Sequence, residues 1–99
     1  MANSTFGAGI SGAGTVASAT TAEVLDADNK RRYTSITIVA EYTNTGVIYV
    51  GGSDVASTTN PGLSAGDVLA LTSPHGWLLS EIWLDASVNG DGVSYYGAY

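Results

Sequence analysis

The ten residues YTSITIVAEY, from Tyr33 to Tyr42, carry the strongest structural pattern in this sequence. Ile36, Ile38, Ala40 and Tyr42 alternate with mostly polar residues, so one side of an extended segment is apolar. Alternation with a period of two is typical of a half-buried antiparallel strand. The stretch therefore predicts an all-β protein.

Short β-branched and aromatic segments lie on both sides of this strand, separated by turn-forming residues. Asn44-Thr45-Gly46 and Asn89-Gly90-Asp91-Gly92 each predict a β-hairpin, and Ser73-Pro74-His75-Gly76 predicts a further turn. The long connection 51–66 favours a crossing of Greek-key or jelly-roll type. We therefore predict a small β-sandwich or jelly-roll-like barrel of about six to eight antiparallel strands. The predicted strands lie at 22–27, 33–42, 47–50, 67–72, 77–86 and 93–99.

Residues 1–20 differ from the rest because they consist almost wholly of Ala, Gly, Ser, Thr and Asn. Such residues bury little area and glycine is costly to order, so we expect a flexible N-terminal arm followed by one domain at 21–99. The arm is either a free terminus or a segment that becomes ordered against a neighbouring subunit. In the second case Phe6, Ile10 and Val16 would be its anchors.

Composition narrows the classes of function. The 99 residues carry a formal net charge of -6 and only 12% are charged, which argues against nucleic-acid binding and leaves a surface suited to permanent protein contacts. No stretch approaches the roughly 20 apolar residues of a membrane span, so we expect no membrane partner. The absence of cysteine removes disulfides and thiolate metal sites.

Few residues suggest catalysis. His75 is the single histidine and lies in a turn with no neighbouring nucleophile, while Asp85 and Asp91 flank a hairpin, as the paired carboxylates of a glycosidase can. Asp85, Asn89 and Asp91 also offer oxygen ligands for calcium, but Asn-Gly-Asp-Gly is what a tight turn itself requires. We predict no enzyme, no catalytic or metal-binding residues and no cofactor.

All three basic residues are adjacent, at Lys30, Arg31 and Arg32. They can form a solvated cap on the strand, or they can pair with Asp26 and Asp28 of the same turn. Alternatively, they orient the molecule towards an acidic partner or bind a carboxylate across a subunit boundary.

Aromatic residues of the last two predicted strands are candidate contact residues. Trp83 lies between two carboxylates on the face opposite Ile82 and Leu84, so it is either an exposed contact residue or is covered by the arm or a loop. Tyr95, Tyr96 and Tyr99 place phenols on both faces of the last strand. These rings can stack on sugars or bury against another subunit. The predicted interface residues are Phe6, Ile10, Val16, Lys30, Arg31, Arg32, Trp83, Tyr95 and Tyr99.

Two tracts of the sequence resemble small virion proteins of tailed bacteriophages. The first reads VIYVGGSDV at 47–55 and continues as PGLSAGD at 61–67; the second reads EIWLDA at 81–86 and NGDGVSY at 89–95. The resemblance implies a capsid decoration (cement) protein, a β-sandwich on the outer surface of the phage head that is often a trimer. It implies no catalytic residues, and Gly51, Gly52 and Gly66 take structural roles.

The sequence therefore leads to three functional hypotheses. The first is a noncatalytic decoration protein of the virion that binds the major capsid protein and forms a homo-oligomer, with a trimer favoured. The alternative is a receptor- or glycan-binding domain of a head fibre or tail component. The third hypothesis, a small hydrolase, rests only on the two aspartates Asp85 and Asp91.

Overall fold

The computed structural model describes residues 9–28, 31–58 and 60–98. Phe6, Lys30 and Tyr99 lie outside the described residues. The described chain forms two antiparallel sheets of four strands each, with a short 3-10 turn at Leu79–Glu81. The strands are β1 (Gly9–Thr15), β2 (Glu23–Val24), β3 (Arg32–Ala40), β4 (Ile48–Gly51), β5 (Gly62–Leu63), β6 (Val68–Leu78), β7 (Trp83–Ala86) and β8 (Gly92–Ala98).

The two sheets have the strand order of a jelly roll. The first sheet runs β1-β8-β3-β6 and the second runs β2-β7-β4-β5. β1 pairs with β8, β2 with β7, β3 with β6 and β4 with β5, all antiparallel. This is the pairing of one long hairpin that has been rolled up into a sandwich of two Greek keys. The prediction of an all-β sandwich or jelly roll is confirmed.

The core lies between the sheets and is built from the alternating residues that the sequence predicted. Ile36, Ile38 and Ala40 of β3 are fully buried, as are Ile48 of β4 and Leu84 of β7. The prediction that Tyr42 continues the inward face is wrong, because its side chain is 85% exposed. β3 ends at Ala40, and the chain then turns, with the Asn44 N–H donating to the Glu41 carbonyl at 3.1 Å.

Neither predicted hairpin forms. β3 lies in the first sheet and β4 in the second, and β7 and β8 are divided in the same way. The Asn-Thr-Gly and Asn-Gly-Asp-Gly segments do reverse the chain, but each carries it from one sheet to the other. A turn sequence determines local backbone direction and leaves open which sheet receives the next strand.

The prediction of a turn at 73–76 followed by one long strand at 77–86 is also wrong. β6 continues through residues 73–76. These four residues form a bulge opposite the single residue Thr34 of β3. Gly76 supplies the positive φ of 80° that this bulge contains. The predicted long strand is divided into the end of β6, the 3-10 turn and β7.

The predicted N-terminal arm needs correction from Gly9 onward. Gly9–Thr15 is β1, which pairs with β8 along its whole length, and Val16 is fully buried in the core. The small residues that suggested flexibility permit close packing instead. A Cβ atom added at Gly12 would lie 2.6 Å from the Tyr95 hydroxyl oxygen, so glycine at this position lets the Tyr95 ring lie against β1.

Candidate functional site

The outer face of the first sheet carries no charged side chain among the described residues that pair across its four strands between Ser35 and Val39 of β3; Arg32, at the start of β3, lies beyond this part. Cross-strand partners share a face in an antiparallel sheet, so the register shows that each of the four strands contributes three non-glycine residues to this part of the face. We call this surface the neutral face. Its residues are Ser11, Ala13 and Thr15 of β1, Ser94, Tyr96 and Ala98 of β8, Ser35, Thr37 and Val39 of β3, and Val68, Ala70 and Thr72 of β6.

The neutral face is exposed and chemically mixed. Tyr96 near its middle is 58% exposed and Val68 at its β6 edge is 59% exposed, while most of the remaining residues are small alcohols and alanines. Removing water from such a surface costs little because it holds no ion. Exposed apolar area with a polar aromatic ring is typical of protein contact surfaces. This face can therefore pack against another protein.

Arg32, at the start of β3, makes its contacts within the domain. The Arg32 guanidinium forms an ion pair with Glu81 at 3.5 Å and donates to the Gly76 carbonyl at 3.3 Å. Both charged side chains of this pair remain about half exposed, so the pair contributes little stability. Arg31 is exposed. Arg32 thus makes a contact to Glu81, rather than to the predicted Asp26 or Asp28.

Trp83 lies on the outer face of the second sheet, as its position in the sequence predicted. Its cross-strand partners are Val24 of β2 and Gly51 of β4. The indole is half-buried, and the adjacent Asp85 is buried, with its Oδ1 accepting the Ala86 N–H at 2.8 Å. Trp83 is therefore a partly covered apolar residue and keeps only a limited accessible surface.

Two of the predicted interface residues belong to the interior of the domain, and a third, Ile10, is partly covered by it. Val16 and Tyr95 are buried members of the core, and Ile10 packs against it while half-buried. Burial raises the pKa of the Tyr95 phenol above its ordinary value of 10.0, and the nearby Asp26 carboxylate and Tyr33 add to that shift. Val16 and Tyr95 hold their segments on the core, so the prediction that these two are contact residues is wrong.

A groove opens between the two sheets where β4 faces β6. It encloses about 280 Å³ and is mostly apolar. Trp77, which lines it, has a buried Nε1 donor without a hydrogen-bond acceptor in the part of the chain that the structure describes. Glu81 forms its charged rim, but its Oε1 already accepts the Leu78 N–H at 2.9 Å. The lining residues are Val50, Gly51, Gly52, Leu69, Leu71, Trp77, Glu81 and Ile82.

The carboxylates that suggested chemistry have structural partners. Asp91 is buried, and its two oxygens accept the backbone N–H groups of Thr45 at 3.1 Å and Gly46 at 2.7 Å. Among residues 9–28, 31–58 and 60–98, no three His, Asp or Glu side chains are grouped so that they can hold a metal ion. The same ranges contain no helix of the length and apolarity that crossing a bilayer requires.

Sequence reasoning did not identify the neutral face. Its signal is present as the polar half of each alternating strand, where Ser, Thr and Ala replace the Lys, Glu and Arg that usually cover a solvated sheet. Recognising it requires the register, because four separate strands contribute to one surface.

No family model, no curated protein and no solved structure matches this chain.

Proposed function

We propose that this protein is a noncatalytic capsid decoration protein of a tailed bacteriophage, which binds the outer surface of the head and stabilises the shell. The observation that carries the proposal is the neutral face, a surface that spans four strands and has no charge among its twelve residues, on a protein of net charge -6. The resemblance of the 47–67 and 81–95 tracts to phage virion proteins supports it. The jelly roll is also used by viral capsid and lectin domains, which is support by analogy of fold alone.

The proposed mechanism is mechanical. Packaged DNA pushes a capsid outward, and many bound copies resist that load together when each is rigid and joins neighbouring shell subunits. The neutral face supplies a contact whose binding costs little desolvation. The jelly roll supplies rigidity, because both of its sheets share one core. The partner in this proposal is the major capsid protein.

The proposal is tested with empty heads of the phage that encodes the chain, prepared without this protein. We expect wild-type protein to saturate these heads at a fixed ratio to the shell subunit, measured by co-sedimentation and electron microscopy. Ala70→Glu places an uncompensated carboxylate on the neutral face and should weaken binding at least tenfold. Ser53→Glu adds the same charge at an exposed turn residue and should leave binding unchanged.

Two results would contradict the proposal. One is the absence of any binding of the wild-type protein to these heads. The other is unchanged binding of Ala70→Glu, since a bound neutral face cannot accept a buried carboxylate without loss. Circular dichroism of both variants shows that a change in binding is not a change in fold.

A second function is favoured by one observation. Tyr42 is 85% exposed next to β3, and Tyr96 is 58% exposed on the neutral face, so two aromatic rings are accessible for stacking on sugars. This would suit a receptor- or glycan-binding domain of a fibre. Binding of the wild-type protein to a glycan array, lost in Tyr42→Ala or Tyr96→Ala, would support this function over shell binding.

A further inference from the structure

β1 is an edge strand with an open side. It pairs with β8 in unbroken register from Gly9 to Thr15, and within the described residues no strand pairs with its other side. In an antiparallel strand, the backbone groups of alternate residues point to opposite sides. Half of the N–H and C=O groups of β1 are therefore directed away from the sheet, where they can pair with another strand.

The other three edges of the sandwich are protected. β2 and β5 have only two residues each, which is too short to guide the pairing of another strand. β6 is interrupted by Pro74 and by the bulge at 73–76. β1, with the sequence GISGAGT, has seven residues without proline, charge or bulge. Only this one of the four described edges lacks a feature that prevents strand pairing.

We propose that β1 pairs antiparallel with β1 of a second copy of this chain, about a two-fold axis at Gly12. In this register Ile10 lies opposite Gly14 of the other copy and Ser11 lies opposite Ala13, so each larger residue meets a smaller one. Residues of the inner face also lie opposite residues of the inner face, which keeps both cores closed. A two-fold interface requires such self-complementarity.

The absence of charge makes the β1 edge the place where two copies can approach each other. Each copy carries a net charge of -6, so most orientations of two copies bring carboxylates together. Neither β1 nor the adjacent β8 (GVSYYGA) contains a charged residue. Pairing would join the two first sheets into one continuous sheet of eight strands with the two neutral faces side by side. The symmetry gives an even number of copies, unlike the trimer that the family resemblance implies, and it does not depend on shell binding.

The test is the molar mass of the full-length chain in solution, measured by sedimentation equilibrium and light scattering. We expect the wild-type protein to be a dimer. Ser11→Glu with Ala13→Glu places like charges opposite each other across the two-fold axis and should give a monomer. Ser11→Lys with Ala13→Lys should do the same. An equimolar mixture of the two double variants should restore the dimer, because opposite charges then face each other.

The matched control is Ser57→Glu with Thr58→Glu, which adds two charges at exposed turn residues and should remain a dimer. Circular dichroism and thermal unfolding confirm that every variant is folded. A monomeric wild-type protein would overturn the proposal, as would a dimer that persists in the Ser11→Glu, Ala13→Glu variant. A wild-type monomer that still saturates phage heads would reject this inference and retain the proposed function.

Discussion

Two glycines and one tyrosine allow β1 to pack closely on the rest of the domain. The Tyr95 ring lies under β1 because Gly12 has no side chain to exclude it. Gly14 acts similarly, since an added Cβ would lie 2.9 Å from the Leu25 Cδ1 atom. A stretch of small residues is therefore ambiguous in sequence. It lacks apolar area of its own, yet it can cover the large side chains of a neighbouring strand.

Tyr95 gives the domain a pH dependence in the alkaline range. Its pKa in the folded state is raised above 10.0, mainly because burial disfavours the phenolate. The unfolded chain therefore loses this proton at a lower pH than the folded protein does. The contribution of the neutral Tyr95 phenol to the free energy of unfolding is therefore complete below about pH 10, and it is lost as the pH rises through the folded-state pKa.

We expect the free energy of unfolding of the wild-type protein to fall more steeply above about pH 10 than that of Tyr95→Phe, which lacks the ionising group. Denaturant unfolding at several values between about pH 7 and 11 measures the difference. Tyr96→Phe is the matched control, because Tyr96 is the next residue and 58% exposed. Equal slopes for Tyr95→Phe and wild type would show that Tyr95 ionises alike in both states.

At the scale of elements, the sequence predicted β3 well, but it missed β1 and predicted the connections poorly. The alternation of β3 identified Ile36 and Ile38 as core residues, because burial on one side is a local property of the strand. The segment Ser-Pro-His-Gly at 73–76 predicts a turn but forms a bulge, since the same residues are typical of both. Whether such a segment ends a strand depends on the partner strand, here β3, which is distant in sequence.

β1 was also not predictable from local sequence, and its place in the folded domain can be tested directly. Val16 follows this strand and is fully buried. If residues 9–16 are part of the domain, Val16→Ala should lower the free energy of unfolding by about 1.5–3 kcal/mol through lost burial and a residual cavity. Thermal or urea unfolding measures this. Thr15→Ala, at the exposed neighbouring position, should change stability by less than about 0.5 kcal/mol.

A free arm would give a different result. Val16→Ala would then behave like Thr15→Ala, with both variants close to wild type. That outcome would return the segment to the arm that its composition suggested.

At the scale of the whole molecule, two of the chain crossings between the sheets, from β3 to β4 and from β7 to β8, contact each other. The Asn44 side chain donates to the Gly92 carbonyl at 2.8 Å and accepts the Gly92 N–H at 2.9 Å. Asp91 accepts the N–H groups of Thr45 and Gly46. The connection after β3 is thus joined to the connection before β8. Sequence showed two turns here, but their mutual contact follows only from the rolled topology.

From these hydrogen bonds between the two connections, we predict that Asp91 has a structural role. Asp91→Ala leaves two backbone donors without their carboxylate, so we expect the free energy of unfolding to fall by about 2–4 kcal/mol. That is a large part of the roughly 5–15 kcal/mol typical of a domain, and the melting temperature should fall by more than about 8 °C.

Asp54→Ala removes an exposed carboxylate and should stay within about 0.5 kcal/mol of wild type. Asp91→Asn keeps one acceptor oxygen and should lie between the two. If Asp91→Ala were as stable as Asp54→Ala, the hydrogen bonds between the two connections would contribute nothing to the free energy of unfolding. The jelly roll would then be stabilised by its core alone.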